Sequence, residues 1–282
     1  MTARYAIVGH PVSHSRSPAM QGAAFAALGI DAVYEAVPVP PGGLPDAFRR
    51  LRDEGYSGWN VTVPHKEEAT RLVDEADETS RLSGSTNTVV VRGGRLLGYS
   101  TDGYGLLEAL HEAFGLGISG KTAVLIGCGG AARAAAFALA SAGAARLVLV
   151  NRTVSRAEAL ARDLASVGLR METRCHSPAD TGLADALAHA GILVQGTSLG
   201  LHDTDPLPLA PKLIPAGVPV MDMIYRPTPF LRAAAARGCP VADGAGMLLH
   251  QGARSFTLWT GLPAPLDAMR AALARALEGS RR

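Results

Sequence analysis

Short apolar runs alternate along the chain with longer stretches in which apolar side chains recur at helical spacing. Residues 5–8 form the first run and stop at Gly9. Ser17-Pro18 reads as a helix opening, with Ser17 as N-cap and Pro18 at the first helical position, and Gly29 closes that helix. Residues 33–39 and 58–63 read as two further strands, with a helix over about 43–52 between them. Pro64 opens the next helix, which carries Lys66 and runs to about Asp74. Residues 88–92 and 95–99 flank Gly93-Gly94 and predict a hairpin. Asp102 is set to cap a helix over 104–114.

A second series follows. Residues 122–126 predict a strand, 131–141 a helix and 147–150 a strand. Ser155 and Glu158 have the spacing of a capping box, ahead of a helix that carries Leu160 and Leu164. Residues 192–195 and 218–223 read as further buried strands. Strands that alternate with helices predict an α/β fold with parallel sheets covered on both faces. The first series ends near Asp102, and the last helices, from about Met247, are candidates to pack back onto the first domain.

Composition narrows this picture. A chain of 282 residues is long enough for one large or two modest domains. Its 48% apolar and 18% charged residues are ordinary for a globular protein with a substantial core. Lys and Arg number 27 against 25 Asp and Glu, a net charge of +2 with no clustered basic footprint, which argues against a nucleic-acid partner. Cys128, Cys175 and Cys239 are odd in number and form no Cys-x-x-Cys pair, so a reducing compartment is expected rather than a disulfide framework or a cysteine zinc site. His10, His14 and His65 lack metal-ligand spacing, and no metal is expected. The N-terminus lacks the pattern of a cleaved leader, and the apolar stretch 134–150 is broken by Ser141, Gly143 and Arg146. The expectation is a soluble cytoplasmic protein with no membrane partner.

The strongest local chemistry lies in residues 122–156. Gly127-Cys128-Gly129-Gly130-Ala131-Ala132 follows a strand and opens a helix, the G-x-G-x-x-A form of a dinucleotide-binding turn. Gly127, Gly129 and Gly130 allow the turn and a close approach of pyrophosphate to backbone, and the helix start at Ala131 offers free N–H groups. A glycine pattern alone is weak evidence; the strand–loop–helix–strand context makes it specific. The end of the next strand distinguishes the cofactor. An NAD enzyme usually carries Asp or Glu there, which would repel a 2′-phosphate. This chain carries Asn151-Arg152-Thr153, with Arg156 one helical turn on, a set suited to a phosphate and therefore to NADP(H).

The first domain gathers polar residues at strand and loop ends: Ser15, Ser17, Asn60, Thr62, Lys66, Asn87, Thr101 and Asp102. The positive end of a helix is an unfavourable place for the Lys66 ammonium, which suits a group that exchanges a proton. A Lys–Asp pair fits carbonyl reduction, in which hydride goes to carbon and the oxygen receives a proton. On spacing alone, Lys66 as a solvated helix residue and Asp102 as a plain N-cap remain the competing reading.

Several separated motifs, in order, resemble the shikimate dehydrogenase family over nearly the whole chain. They are Gly9-His10-Pro11-Val12-Ser13-His14-Ser15-Arg16-Ser17-Pro18, Asn60-Val61-Thr62-Val63-Pro64-His65-Lys66, Asn87-Thr88, Thr101-Asp102-Gly103, the glycine loop, Asn151-Arg152-Thr153, Asp222-Met223-Ile224-Tyr225 and Asp243-Gly244-Ala245-Gly246-Met247-Leu248. The resemblance implies two αβ domains around a cleft. Residues 1–102 plus 247–282 would be a mixed-sheet substrate-binding and catalytic domain, and 103–246 a Rossmann-like NADP-binding domain. It implies reversible NADPH-dependent reduction of 3-dehydroshikimate to shikimate by a monomer or homodimer. Ser15 and Ser17 would bond the substrate carboxylate, and Lys66 and Asp102 would form the catalytic pair around the reacting oxygen and its neighbouring hydroxyl. Asn60, Thr62, Asn87, Tyr225 and Gln251 would line the ring's hydroxyl pocket or its edge, and Thr197, Met223, Gly244 and Met247 would meet the nicotinamide.

The chain departs from the usual pattern at four places. Ser100 stands where Asn is usual, Thr86 where an apolar residue is usual, Gln195-Gly196 for Asn-Ala, and Cys128 for Ala in the glycine loop. Ser100 and Thr86 lie close in sequence to the ring-binding positions. They keep a paralogue acting on quinate, aminoshikimate or a related cyclic hydroxy acid as an alternative. A non-catalytic NADP(H)-binding sensor is the third reading, against which the intact Lys66–Asp102 pair speaks.

Overall fold

The computed structural model describes residues 2–169 and 171–279. Met1 and residues 280–282, the outer ends expected for the first domain, and Arg170, within the second, lie outside the described residues. The chain divides into two compact units, Met1–Gly105 with Leu249–Arg282, and Leu106–Leu248.

The first unit opens with β1 (Ala3–Gly9), α1 (Ser17–Ala27), β2 (Ala32–Pro38), α2 (Leu44–Asp53), β3 (Gly58–Val61), α3 (Lys66–Leu72), β4 (Glu75–Ala76), α4 (Glu78–Ser83), β5 (Thr88–Arg92) and β6 (Arg95–Tyr99), and α5 (Asp102–Phe114) begins in it. Its sheet has the order β2-β1-β3-β5-β6-β4. β1 runs parallel to β2 and β3, whereas β5 is antiparallel to both β3 and β6. This mixture positions the site. Because β5 runs against β3, its start lies beside the end of β3, where Val61 N donates to Asn87 O at 2.8 Å. The Gly93-Gly94 turn then sends β6 back, so that Thr101 and Asp102 return to the same edge.

The second unit holds β7 (Thr122–Ile126), α6 (Gly130–Ser141), β8 (Arg146–Val150), α7 (Val154–Ser166), β9 (Glu172–His176), α8 (Leu183–Leu187), β10 (Ile192–Gln195), β11 (Val220–Asp222), α9 (Pro229–Ala235) and β12 (Val241–Ala242). Its sheet is parallel throughout, in the order β12-β11-β10-β7-β8-β9. The sheet grows outward in both directions from β7 and β10, so the glycine loop after β7 stands at the topological switch point, where such folds bind dinucleotides. The strands are near-continuous apolar runs, and β7, β8 and β10 are buried almost end to end, as a two-sided parallel sheet requires.

α10 (Ala245–Thr260) and α11 (Leu266–Glu278) close the chain, and α10 from Leu249 onward belongs with α11 to the first unit. The alternation along β1 explains their place. Ala6 and Val8 face a core that includes Leu44, Phe48, Leu51 and Trp59. Tyr5 points the other way, with its ring 5.1 Å from Phe25 of α1 and 5.0 Å from Trp259 of α10. Among the described residues no helix is long and apolar enough to cross a membrane, and no group of three or more His, Cys, Asp or Glu is arranged to hold a metal.

Several local expectations are corrected. Ser17 is the first residue of α1 rather than its N-cap, and Ser15 Oγ accepts its N–H at 3.2 Å. β3 ends at Val61 and α3 starts at Lys66 instead of Pro64, with His65 Nε2 engaged 2.6 Å from Val39 O between them. Asp102 is inside α5, its carboxylate committed to Lys66 and Asn87 rather than to a cap. Ser155 also lies inside its helix, after the N-cap Thr153, so the capping box does not form. β11 spans only Val220–Asp222 of the expected 218–223, and just after it Asp222 Oδ1 accepts the Ile224 N–H at 3.0 Å and turns the chain out of the sheet.

Candidate active site

In the first unit Lys66 and Asp102, expected to act together, are brought into contact. Lys66 Nζ lies 2.5 Å from Asp102 Oδ2, with the two side chains 14% and 6% exposed. Asn87 organises the pair from behind. Its Nδ2 donates to Asp102 Oδ1 at 2.9 Å, to Thr101 Oγ1 at 2.9 Å and to Gln251 Oε1 at 3.3 Å. Its Oδ1 accepts from Thr101 N at 2.8 Å and from the Thr88 hydroxyl at 3.1 Å. One amide thus fixes which carboxylate oxygen meets Lys66 and ties Gln251 to the same point.

Asn60 lies one layer deeper. Its Nδ2 donates to Asn87 O at 3.1 Å, Thr88 Oγ1 at 3.0 Å and Ser255 Oγ at 3.0 Å, and its Oδ1 accepts from Tyr34 OH at 2.7 Å. Tyr34 also engages Ser17, and burial pushes the pKa of its phenol well above the ordinary tyrosine value. Ser15 and Ser17 are therefore linked through Tyr34 and Asn60 to the Lys66–Asp102 pair. Thr62 follows β3, and its methyl occupies the space that a side chain on Gly9 would need. Tyr225 belongs to the second unit, exposed on the loop after Asp222.

Tyr34 and Ser255 escaped the sequence reading. Ser255 Oγ lies 2.8 Å from Thr88 Oγ1 and 3.0 Å from Gln251 O. Its position one helical turn after Gln251 was the available signal. Thr86, next to Asn87, turns its hydroxyl inward to Ser80 and, at 3.0 Å, to Thr70. Ser100 also keeps its hydroxyl buried, without a hydrogen-bond partner among the described residues. Of the three histidines, His65 is buried, while His10 and His14 are exposed.

In the second unit the glycine loop has the shape a dinucleotide requires. Gly127 has φ +107°, and a Cβ there would strike Thr197 Cγ2 at 2.9 Å. A Cβ on Gly129 would meet nothing within 4 Å, so the loop presents open backbone. The N-cap Gly129 brings no side chain to the first-turn N–H groups around Gly130 and Ala131, which leaves them for an anion. Asn151 Nδ2 donates to Thr153 O at 2.8 Å and shapes the turn after β8. Arg152 and Arg156 are exposed there. These residues fit a phosphorylated dinucleotide. Burial first, then the neighbouring Cys175 sulfur, pushes the Cys128 thiol up to about 11 against the pull of Arg156 and Arg133. Cys128 thus stays a protonated packing group.

Thr197 and Met223 stand at the ends of β10 and β11. Gly244 supports Met223 from below, since a Cβ there would lie 2.1 Å from Met223 O, and Met247 is buried in the first turns of α10. Asp222 is fully buried, accepting from Thr228 Oγ1 at 2.7 Å and Gln195 Nε2 at 3.3 Å. Burial pushes its carboxyl up to about 6 despite these donors.

Comparison with known proteins gives the same family along the chain. Family models described as shikimate dehydrogenase substrate binding domain, shikimate / quinate 5-dehydrogenase, and shikimate 5′-dehydrogenase C-terminal domain match residues 7–89, 108–198 and 244–274. The chain is 47% identical to a shikimate dehydrogenase (NADP(+)) of Symbiobacterium thermophilum, over 97% of this chain and 94% of the relative. It is also 47% identical to a protein of that name from Rubrobacter xylanophilus, over 96% of this chain and 95% of the relative. Among solved structures, shikimate 5-dehydrogenase of Thermus thermophilus in complex with NADP(H) and shikimate superimposes with a TM-score of 0.86 at 39% identity, covering 97% of this chain and 99% of that one.

Proposed function

The chain belongs to the shikimate dehydrogenase family, and from that premise we propose that it catalyses the reversible, NADP-dependent interconversion of 3-dehydroshikimate and shikimate. It is an NADP-dependent oxidoreductase acting on a CH–OH group. The observation that carries the proposal is the Lys66–Asp102 pair, held in one orientation by Asn87.

In this reading NADP(H), when bound, supplies or takes up the hydride. The protein's share is the proton and the orientation of the ring. Lys66 donates a proton to the substrate oxygen as the ketone becomes a hydroxyl, and takes it back in the reverse direction. Asp102 holds the amine and accepts from the adjacent ring hydroxyl. Ser15 and Ser17 bind the carboxylate, with Tyr34 setting Ser17 from behind. Thr62, Gln251, Asn60 and Asn87 complete the hydroxyl pocket or its supports, and Tyr225, on the second unit, is a substrate-binding residue in the same reading. In the second unit Gly127, Gly129, Gly130 and Ala131 would hold the pyrophosphate, and Asn151, Arg152, Thr153 and Arg156 the 2′-phosphate. Thr197, Met223, Gly244 and Met247 would border the nicotinamide. The same reading places the enzyme in the cytoplasm, where its three free cysteines suit a reducing milieu.

Initial rates with shikimate and quinate, each with NADP+ and NAD+, test the proposal. Shikimate with NADP+ should give the highest kcat/KM. A higher value for quinate would move the chain to the paralogue reading, equal or better turnover with NAD+ would remove the cofactor assignment, and NADP+ binding without turnover would leave a sensor.

A further inference from the structure

Gln195-Gly196, one of the chain's departures from its family, sits at the meeting point of three segments of the second unit. The Gln195 amide is fully buried and fully used. Its Oε1 accepts the Thr197 N–H, and its Nε2 donates to Leu199 O at 2.9 Å, Thr197 O at 3.3 Å and Asp222 Oδ1 at 3.3 Å. The loop from Thr197 to Leu199 is therefore wrapped around one side chain, which also joins it to Asp222. Met223 N in turn donates to Gln195 O at 2.9 Å.

Gly196 does its work by lacking a side chain. A Cβ there would lie 3.0 Å from Ala132 Cβ, in the first turn of α6, and 3.2 Å from Met223 Sδ. The Met223 thioether occupies the room that Gly196 leaves. With Gly127 beneath the Thr197 methyl and Gly244 beneath the Met223 backbone, three glycines form the floor on which Thr197 and Met223 stand.

We propose that Gly196 and Gln195 are positioning residues for the nicotinamide half of the dinucleotide, Gly196 by seating the Met223 thioether and Gln195 by setting Thr197. The proposal rests on the dinucleotide reading given above. Neither residue needs to touch the ligand. A methyl at position 196 meets the Ala132 methyl at 3.0 Å, which α6 must relieve by a few tenths of an ångström, and the Met223 thioether at 3.2 Å, which gives way as the end of a flexible side chain, so the fold survives while the surface meeting the nicotinamide changes.

Calorimetric titration, with no turnover involved, separates the two halves of the ligand. NADP+ and the adenosine-side fragment 2′,5′-ADP are titrated into the wild type and Gly196→Ala. NADP+ should bind roughly tenfold more weakly to the variant, the size of a modest overpacking cost, and 2′,5′-ADP within about twofold of wild type. In a Met223→Ala background the added Gly196→Ala should cost clearly less than it does alone, because the displaced thioether is gone and only the Ala132 contact remains. Unchanged NADP+ affinity, equal weakening of both probes, or additive losses in the double variant each overturn the proposal. If Gly196→Ala melts too low for titration, Gln195→Asn, which only withdraws the amide from its partners, must give the same split between the probes; full NADP+ affinity there overturns the proposal as well. A wild type that binds neither probe overturns the dinucleotide reading, a result distinct from any of these.

Discussion

Lys66 Nζ meets Asp102 Oδ2 at 2.5 Å, while Asn87 holds the other oxygen of that carboxylate at 2.9 Å. The Lys66→Arg variant tests the role directly. Arginine keeps a cation beside Asp102, so the carboxylate stays paired, but a guanidinium does not release a proton near neutral pH. We expect kcat to fall by about 10²–10⁴, the usual contribution of a positioned acid–base group, with a smaller change in shikimate affinity. Steady-state kinetics with direct shikimate titration would check this, and near-wild-type turnover would remove Lys66 from proton transfer.

Arg152 and Arg156 flank the turn shaped by Asn151 after β8. If they bind the 2′-phosphate, each replacement by alanine withdraws a charge-assisted hydrogen bond of about 1.5–3 kcal/mol, so KM for NADP+ should rise roughly 10- to 100-fold. KM for NAD+, which has no phosphate at that position, should stay near its wild-type value. A parallel rise for both cofactors would place the arginines elsewhere in the binding process.

The position of Thr86 beside Asn87 suggests a bearing on substrate choice, but its hydroxyl faces Ser80 and Thr70. Thr86→Val keeps the shape and leaves the buried Ser80 hydroxyl without its partner. Urea unfolding should show a loss of about 1–3 kcal/mol, the cost of a buried orphan. The ratio of kcat/KM for shikimate over quinate should stay within about twofold, because no group facing the substrate has changed. A large swing in that ratio would show that the Thr86 hydroxyl reaches the ring.

What was legible in the sequence follows from how local each signal is. The unit from β7 to α7 is readable because strand, glycine turn and helix are contiguous, and Gly127 has a steric reason in the Thr197 methyl over it. The short strands β4 and β12, of two residues each, carry too little periodicity to be seen. Residue type points to the Lys66–Asp102 pair, yet nothing local in the sequence marks its support. Asn87, Tyr34 and Ser255 come together only because β5 runs against β3 and α10 packs on the same sheet. Capping failed as a guide at Ser17, Asp102 and Ser155 because those residues lie inside their helices, two of them with other partners.

Asp222 gives a pH signature that can be isolated. Burial lifts its carboxyl from 3.8 to about 6, so between those values the native state holds a proton that the unfolded chain has released. Its contribution to stability is therefore full below the lower value, declines as pH rises through the interval, and is constant above it, by about 2–3 kcal/mol in all. Other carboxyls act in the opposite sense. Glu35 is held low chiefly by the Tyr56 hydroxyl, Asp180 by the Gly182 N–H, and Asp205 by the His202 N–H. Those groups are common to wild type and Asp222→Asn, so they cancel when unfolding free energies of the two proteins are subtracted at each pH. The difference, wild type minus variant, should fall steadily between pH 4 and about 6 and then level off. Urea unfolding at successive pH values measures it, and a difference that stays flat across the interval would mean that Asp222 is ionised in the native state throughout.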